Sequence, residues 1–349
     1  MSPARKIVEA DEPDRIEGFA HPRETYELIG QDEALVRAAR GIRQGRPPQA
    51  LMIAGPPGIG KATLAYRIAR YLLRYGATAE GPADLSVPAG DVVARQIEAQ
   101  SHPGLLVLRR PVNEKTGKLM TVLPIDEIRR LRNFFQLSST SGGWRVAIID
   151  SADEMNDNAA NALLKILEEP PPRAMLMLVA HAPGRQLPTI RSRTQRLDLK
   201  PLAEKVLAAS LVRLLPDTGA DDRAVLVRLA EGSLGLALRL SDKEGLELAR
   251  SAEALLQSRN PDVKATLALA DRVARVQDGL AHFGEFLSQA LSARIRSRAA
   301  AGEGDERSVA LWERVAAFYA RAAEVYLDPR QTVLSSAAAI AAAKRKGAI

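Results

Sequence analysis

The sequence predicts an α/β protein built on a mainly parallel sheet, followed by an all-helical C-terminal part. Three observations carry this. Between about His21 and Pro201, short apolar runs alternate with amphipathic stretches, the mark of βα units. The first of those runs passes straight into a glycine-rich loop and then a helix, the order a phosphate-binding loop requires. After Pro201 the strand signals stop, and Ala-, Leu- and Arg-rich helical periodicity takes over.

Taken in order, residues 1–20 are charged and proline-containing and predict a loose tail. "ALMIA" (50–54) reads as a buried strand, and the chain turns helical near Lys61. "RYGATAEGPADLSVPAGD" (74–91), rich in Gly, Ala and Pro, predicts a surface excursion. "LLVL" (105–108) is a second strand, and the basic loop 109–124 follows with Glu114 as its only acid. A helix is predicted over 125–136, then strands at "VAIID" (146–150) and "AMLMLVA" (174–180), with a weaker alternating strand at "QRLDL" (195–199). Between them, Leu163, Ile166 and Leu167 form an apolar face on a helix that Pro170–Pro172 must stop. Beyond Pro201 three short helices precede a long helical region from about residue 245, and "SSAAAIAAAKRKGAI" reads as a frayed terminal helix. The expected divisions are a tail at 1–20, an α/β core at 21–200, a small helical lid at 201–245 and a helical domain at 246–349.

Composition narrows the function. Hydrophobic residues make up 46% of the 349 positions, enough for packed cores, and aromatics only 4%, so those cores rest on Leu, Ile, Val and Ala. There is no cysteine, which excludes disulfides and Cys-ligated zinc or iron–sulfur sites. The four histidines, at 21, 102, 181 and 282, are scattered, so no metal centre is expected. A net charge of +7 is compatible with a polyanionic partner and weak as evidence for one. The N-terminus has no continuous apolar segment, and no run approaches the ~20 apolar residues of a membrane span. A cytoplasmic protein without membrane contact is expected.

The chemistry concentrates in four places. "GPPGIGKAT" spans Gly55, Pro56, Pro57, Gly58, Ile59, Gly60, Lys61, Ala62 and Thr63. It fits the phosphate-loop pattern except that Ala62 stands where a hydroxyl should hold Mg²⁺. Thr63 lies ~100° further round the helix and does not simply take that place. Asp150 ends an apolar strand, as a Mg²⁺-supporting carboxylate does, but the next residue is Ser151 rather than a glutamate that orients water. Asp153 and Glu154 come later and read at least equally well as a solvated turn. Arg191, Arg193 and Arg196 follow a strand and loop, and on charge alone suit an ordinary basic surface. Arg129, Arg130 and Arg132 lie on the 125–136 helix, where they suit DNA phosphates or equally a solvated face.

The stretch from "VAIIDSADEMN" through "NAANALLKILEEPPP" to "LPTIRSRTQRL" resembles the heart of a bacterial clamp-loader subunit of the AAA+ family. "HP…YELIGQDEAL" (21–35) resembles the box that precedes the family's phosphate loop, and "YLDPRQTVLSSAAAI" (326–340) the end of its collar domain. The resemblance implies an AAA+ P-loop core, a small helical lid and an all-α collar that joins five subunits in a ring. ATP then sits at subunit interfaces. By the same resemblance Arg193, in Ser192-Arg193-Thr194 where the family has Ser-Arg-Cys, would act in trans on the neighbour's nucleotide. The lid motif Gly-Ser-Leu-Arg appears as Gly232-Ser233-Leu234-Gly235, and the sensor position falls near His181. Beside that resemblance, three losses, at Ala62, Ser151 and Gly235, imply a stator that hydrolyses no ATP of its own, with binding of ATP without hydrolysis left open, Mg²⁺ poorly held and no zinc. The implied partners are gamma/tau and delta subunits of a DNA polymerase III holoenzyme, a sliding clamp and primer–template DNA. The chain itself would perform no polymerase chemistry. The alternative within the same family is an ATP-hydrolysing motor subunit of the gamma/tau kind.

Overall fold

A computed structural model describes residues 15–112, 120–136, 143–258, 262–276, 279–303, 305–325, 327–347 and 349. The greater part of the expected tail, and residues 113–119 of the basic loop, lie outside these. The chain divides into two compact units. Unit 1 comprises Met1–Ser210 with Glu231–Leu236, and unit 2 comprises Leu211–Ala230 with Ala237–Ile349, so the stretch expected as a lid is shared between them.

Unit 1 is the expected α/β P-loop fold. Its strands are β1 (Ala50–Ala54), β2 (Leu105–Leu108), β3 (Arg145–Asp150), β4 (Ala174–Ala180) and β5 (Gln195–Asp198), in the order β2-β3-β4-β1-β5. Every pairing is parallel. A parallel sheet is covered on both faces, so its central strands read as unbroken apolar runs rather than alternating ones. Successive side chains still point to opposite faces. Leu51, Ile53, Val146, Ile148, Met175 and Met177 therefore enter one core, with residues of α1 (Asp32–Arg43), α2 (Lys61–Tyr75) and α3 (Val92–Glu98). Met52, Ala147, Ile149, Leu176 and Leu178 enter the other, with residues of α4 (Ile125–Gln136), α5 (Asp157–Glu168) and α6 (Pro188–Arg191). The weaker amphipathic strand is the edge strand β5, in which only Leu197 is buried.

Residues 74–91 run over the surface as expected, and they are also anchored, because Leu85 and Val87 are buried in the first core. Arg43 donates to the Gly81 carbonyl at 2.6 Å, Arg67 to Asp84 Oδ2 at 2.7 Å, and Tyr71 to the Thr78 carbonyl at 2.8 Å. Composition exposed the turns but not the two apolar anchors among them. Leu85→Ala is expected to cost about 2–5 kcal/mol, the usual cost of emptying a core leucine site, read as a lowered denaturation midpoint.

Unit 2 is helical. It holds α8 (Ala220–Ala230), α10 (Lys243–Gln257), α11 (Val263–Arg275), α12 (Gly279–Ala300), α13 (Glu306–Val325) and α14 (Pro329–Arg345). The remaining helices, α7 (Glu204–Leu214) and α9 (Leu234–Arg239), run across the boundaries between the units. Helix α14 is not frayed as expected. Asp328 caps it, Val333, Ala337 and Ile340 are buried, and it packs on α11 and α13. Its alanines serve as packing surface, not only as helix formers. Among the described residues no helix is long and apolar enough to cross a membrane.

Candidate functional site

The site forms at the C-terminal edge of the sheet, where open parallel sheets bind ligands. The register aligns Ala54 of β1 with Ala180 of β4 and Asp198 of β5, and Asp150 of β3 with Val179 of β4. The loop 55–60, Asp150 and His181 thus leave the sheet at neighbouring points. Gly60 sits at the N-cap of α2, so the unpaired N–H groups of the helix's first turn face the loop. Lys61, Ala62 and Thr63 form that turn, and Lys61 is buried.

The loop is tied down at every carbonyl. Lys61 Nζ donates to the Gly55 carbonyl at 2.7 Å and to that of Pro56 at 2.5 Å. Ser233 Oγ donates to Pro57 O at 2.9 Å, the Gly235 N–H to Gly58 O at 2.8 Å, and Gln31 Nε2 to Ile59 O at 3.2 Å. The Leu64 N–H takes Gly60 O at 3.0 Å. Gln31 was not among the residues singled out from sequence. Its only sequence signal is a polar residue just before an amphipathic helix; it is buried in the fold and also donates to the Lys200 carbonyl at 2.8 Å.

Segment 231–236 lies directly on the loop tip. Gly58 has φ +73°, and a Cβ on Gly235 would stand 2.8 Å from Gly58 Cα. Two glycines are needed because two backbones meet there. The position where the resembled motif carries arginine is thus filled by backbone contact.

Burial holds the Lys61 ammonium down to about 8 from its usual 10.5, and Asp150 and Asp153 offset part of that effect. The folded chain therefore releases this proton before the unfolded chain does. Between about pH 8 and 10.5 the unfolded state binds more protons, so this group makes stability rise with pH across that window. Urea midpoints measured through the window are expected to rise less steeply in Lys61→Met than in the parent chain.

Asp153 and Glu154 are not a solvated turn. Asp153 accepts the backbone N–H of His181 and, at 3.4 Å, the Ser151 hydroxyl, bridging the ends of β3 and β4. Glu154 pairs with Arg110 at 2.8 Å, and burial raises its carboxyl above the usual range. Both are half-buried, which spacing along the chain did not reveal. Asp150 contributes the one carboxylate of the expected Mg²⁺ donor pair, and Ala62 contributes a methyl group. That set does not fit a well-held Mg²⁺ ion.

Arg193 lies outside this cluster, in the turn between α6 and β5, with its side chain 38% exposed. It donates from Nη1 to the Thr189 carbonyl at 3.1 Å and from Nη2 to Glu168 at 3.0 Å. On α4, Arg129 pairs with Asp126 and Arg130 with Glu127, each at 2.6 Å. Arg132 lines a groove of about 320 Å³ with Phe135, Lys165 and Glu168.

Residues 30–203 match the family described as "DNA polymerase III, delta subunit". The DNA polymerase III subunit delta' of Pseudomonas aeruginosa is 36% identical over 192 residues, 55% of each chain. That of Escherichia coli is 32% identical over 196 residues, 56% of this chain and 55% of its own. A DNA polymerase III subunit gamma/tau from Mycobacterium bovis is 29% identical over 224 residues, 61% of this chain and 35% of its own. The chain thus spans about half the length of the delta' relatives it matches. In the core that carries both the phosphate loop and Arg193, the chain belongs to the DNA polymerase III delta-subunit family.

Proposed function

We propose that the chain is a delta-prime-type clamp-loader subunit, a stator that lends Arg193 to a neighbour's nucleotide and splits none of its own. One observation carries this reading. An arginine in the Ser-Arg turn is exposed, while the chain's own loop carries Ala62 where a hydroxyl would hold Mg²⁺. A donor needs a reachable guanidinium, and a motor needs a well-held Mg²⁺. The chain has the first and a methyl group in place of the second's ligand.

The proposed setting is bacterial DNA replication in the cytoplasm. Gamma/tau and delta subunits would be ring neighbours, a sliding clamp the cargo, and primer–template DNA the destination. Any ATP in the loop 55–63 would be held, not hydrolysed. Arg129, Arg130 and Arg132 are the proposed phosphate contacts, and their effect would be salt-dependent and blind to sequence. The test is ATP turnover and clamp loading by the reconstituted complex with Arg193→Ala. An unchanged rate removes the finger from the proposal.

A further inference from the structure

We infer that Glu168 is the positioning residue for Arg193, holding the guanidinium in register before a neighbour's nucleotide arrives. This rests on the reading of Arg193 as a finger.

The sequence makes Glu168 an odd choice on local grounds. It is the last residue of α5, where helix carbonyls concentrate partial negative charge and a carboxylate is disfavoured. Pro170 and Pro171 end the helix within two residues, which fixes where that acid stands. A cation opposite relieves the conflict, and Arg193 supplies it at 3.0 Å. Arg193 is also fastened from its other amino group, since Nη1 reaches the Thr189 carbonyl at 3.1 Å and Ser192 Oγ at 3.4 Å. Ser192 Oγ in turn donates to the same Thr189 carbonyl at 3.1 Å. Both amino groups therefore have set directions. Arg193 lines a small crevice together with the apolar residues Phe135, Ile166, Leu167 and Pro171.

The strength of this hold decides its role. Both partners are open to solvent, 38% and 50% exposed. Exposed pairs of this kind shift an equilibrium by at most about fivefold. Such a hold narrows the rotamers of a long side chain, and a multiply charged phosphate displaces it readily. Glu168 thus orients Arg193 without locking it.

The experiment is a double-mutant cycle in the reconstituted clamp-loader complex, reading ATP turnover in all four variants. With Arg193 present, Glu168→Ala is expected to lower kcat at the interface Arg193 serves about threefold to fivefold with KM for ATP unchanged. Glu168→Gln is expected to fall between the two. In an Arg193→Ala background Glu168→Ala should cost nothing further. Thermal melts of the variants serve as the folding check, and no change is expected at this exposed position. If Arg193→Ala slows turnover and Glu168→Ala does not, the positioning role is wrong and the finger stands. An equal loss from Glu168→Ala in both backgrounds also overturns it. If Arg193→Ala itself is silent, both readings fall.

Discussion

Arg193→Ala in the reconstituted complex is expected to slow ATP hydrolysis at the one interface it serves by about 10³-fold or more, the scale on which arginine fingers act in phosphoryl transfer. The guanidinium would work by meeting charge that develops on the transferred phosphoryl group. Lysine should not restore the rate, because it lacks the planar fork that meets two oxygens at once. The chain's own fold should be unaffected, since the residue is 38% exposed and its held contacts are weak. Total turnover should fall by that interface's share, and clamp loading should fall with it. A full rate with Arg193→Ala would leave Arg193 as an ordinary surface cation.

Gly235→Ala is expected to destabilise unit 1 by about 1–3 kcal/mol, the usual cost of forcing an atom into a full contact. The added Cβ would meet Gly58 Cα at 2.8 Å and Gly58 O at 3.2 Å. Both are backbone atoms, so no rotamer change relieves them. The segment must lift, and the 2.8 Å bond from the Gly235 N–H to Gly58 O is lost with it, a further ~1 kcal/mol. Trp144 lies in unit 1 and Trp312 in unit 2. In a Trp312→Phe background, tryptophan fluorescence would therefore report unit 1 alone during urea denaturation. An unshifted midpoint would mean that segment 231–236 does not bear on the loop. The same clash explains why the lid arginine of the resembled motif has no room at this position.

Much of the sheet was readable because its signals are local. Each buried strand is a short apolar run bounded by loop residues, and β1, β2 and β4 begin and end where that pattern places them. The phosphate loop was equally readable, since its function depends on a fixed spacing of glycines and a lysine. The anchoring of residues 74–91 is not legible locally, because Leu85 and Val87 pack in a core whose other members lie elsewhere in the chain, as do Arg43, Arg67 and Tyr71, which bond to the same segment. The choice between the two readings of Asp153 is undecided locally for the same reason, as its partner His181 is 28 residues away. Local composition carries no record of a contact made across the sheet.

Residue identity and spacing along the chain were enough for the parallel sheet and the phosphate loop, and the resemblance to the clamp-loader family marked Ala62, Ser151 and Gly235 as departures from its pattern. Folding was needed to bring Gly235 onto Gly58, Gln31 and Ser233 onto the loop, and Glu168 to Arg193. In each case the two partners come from different elements, and the fold alone sets the distance between them.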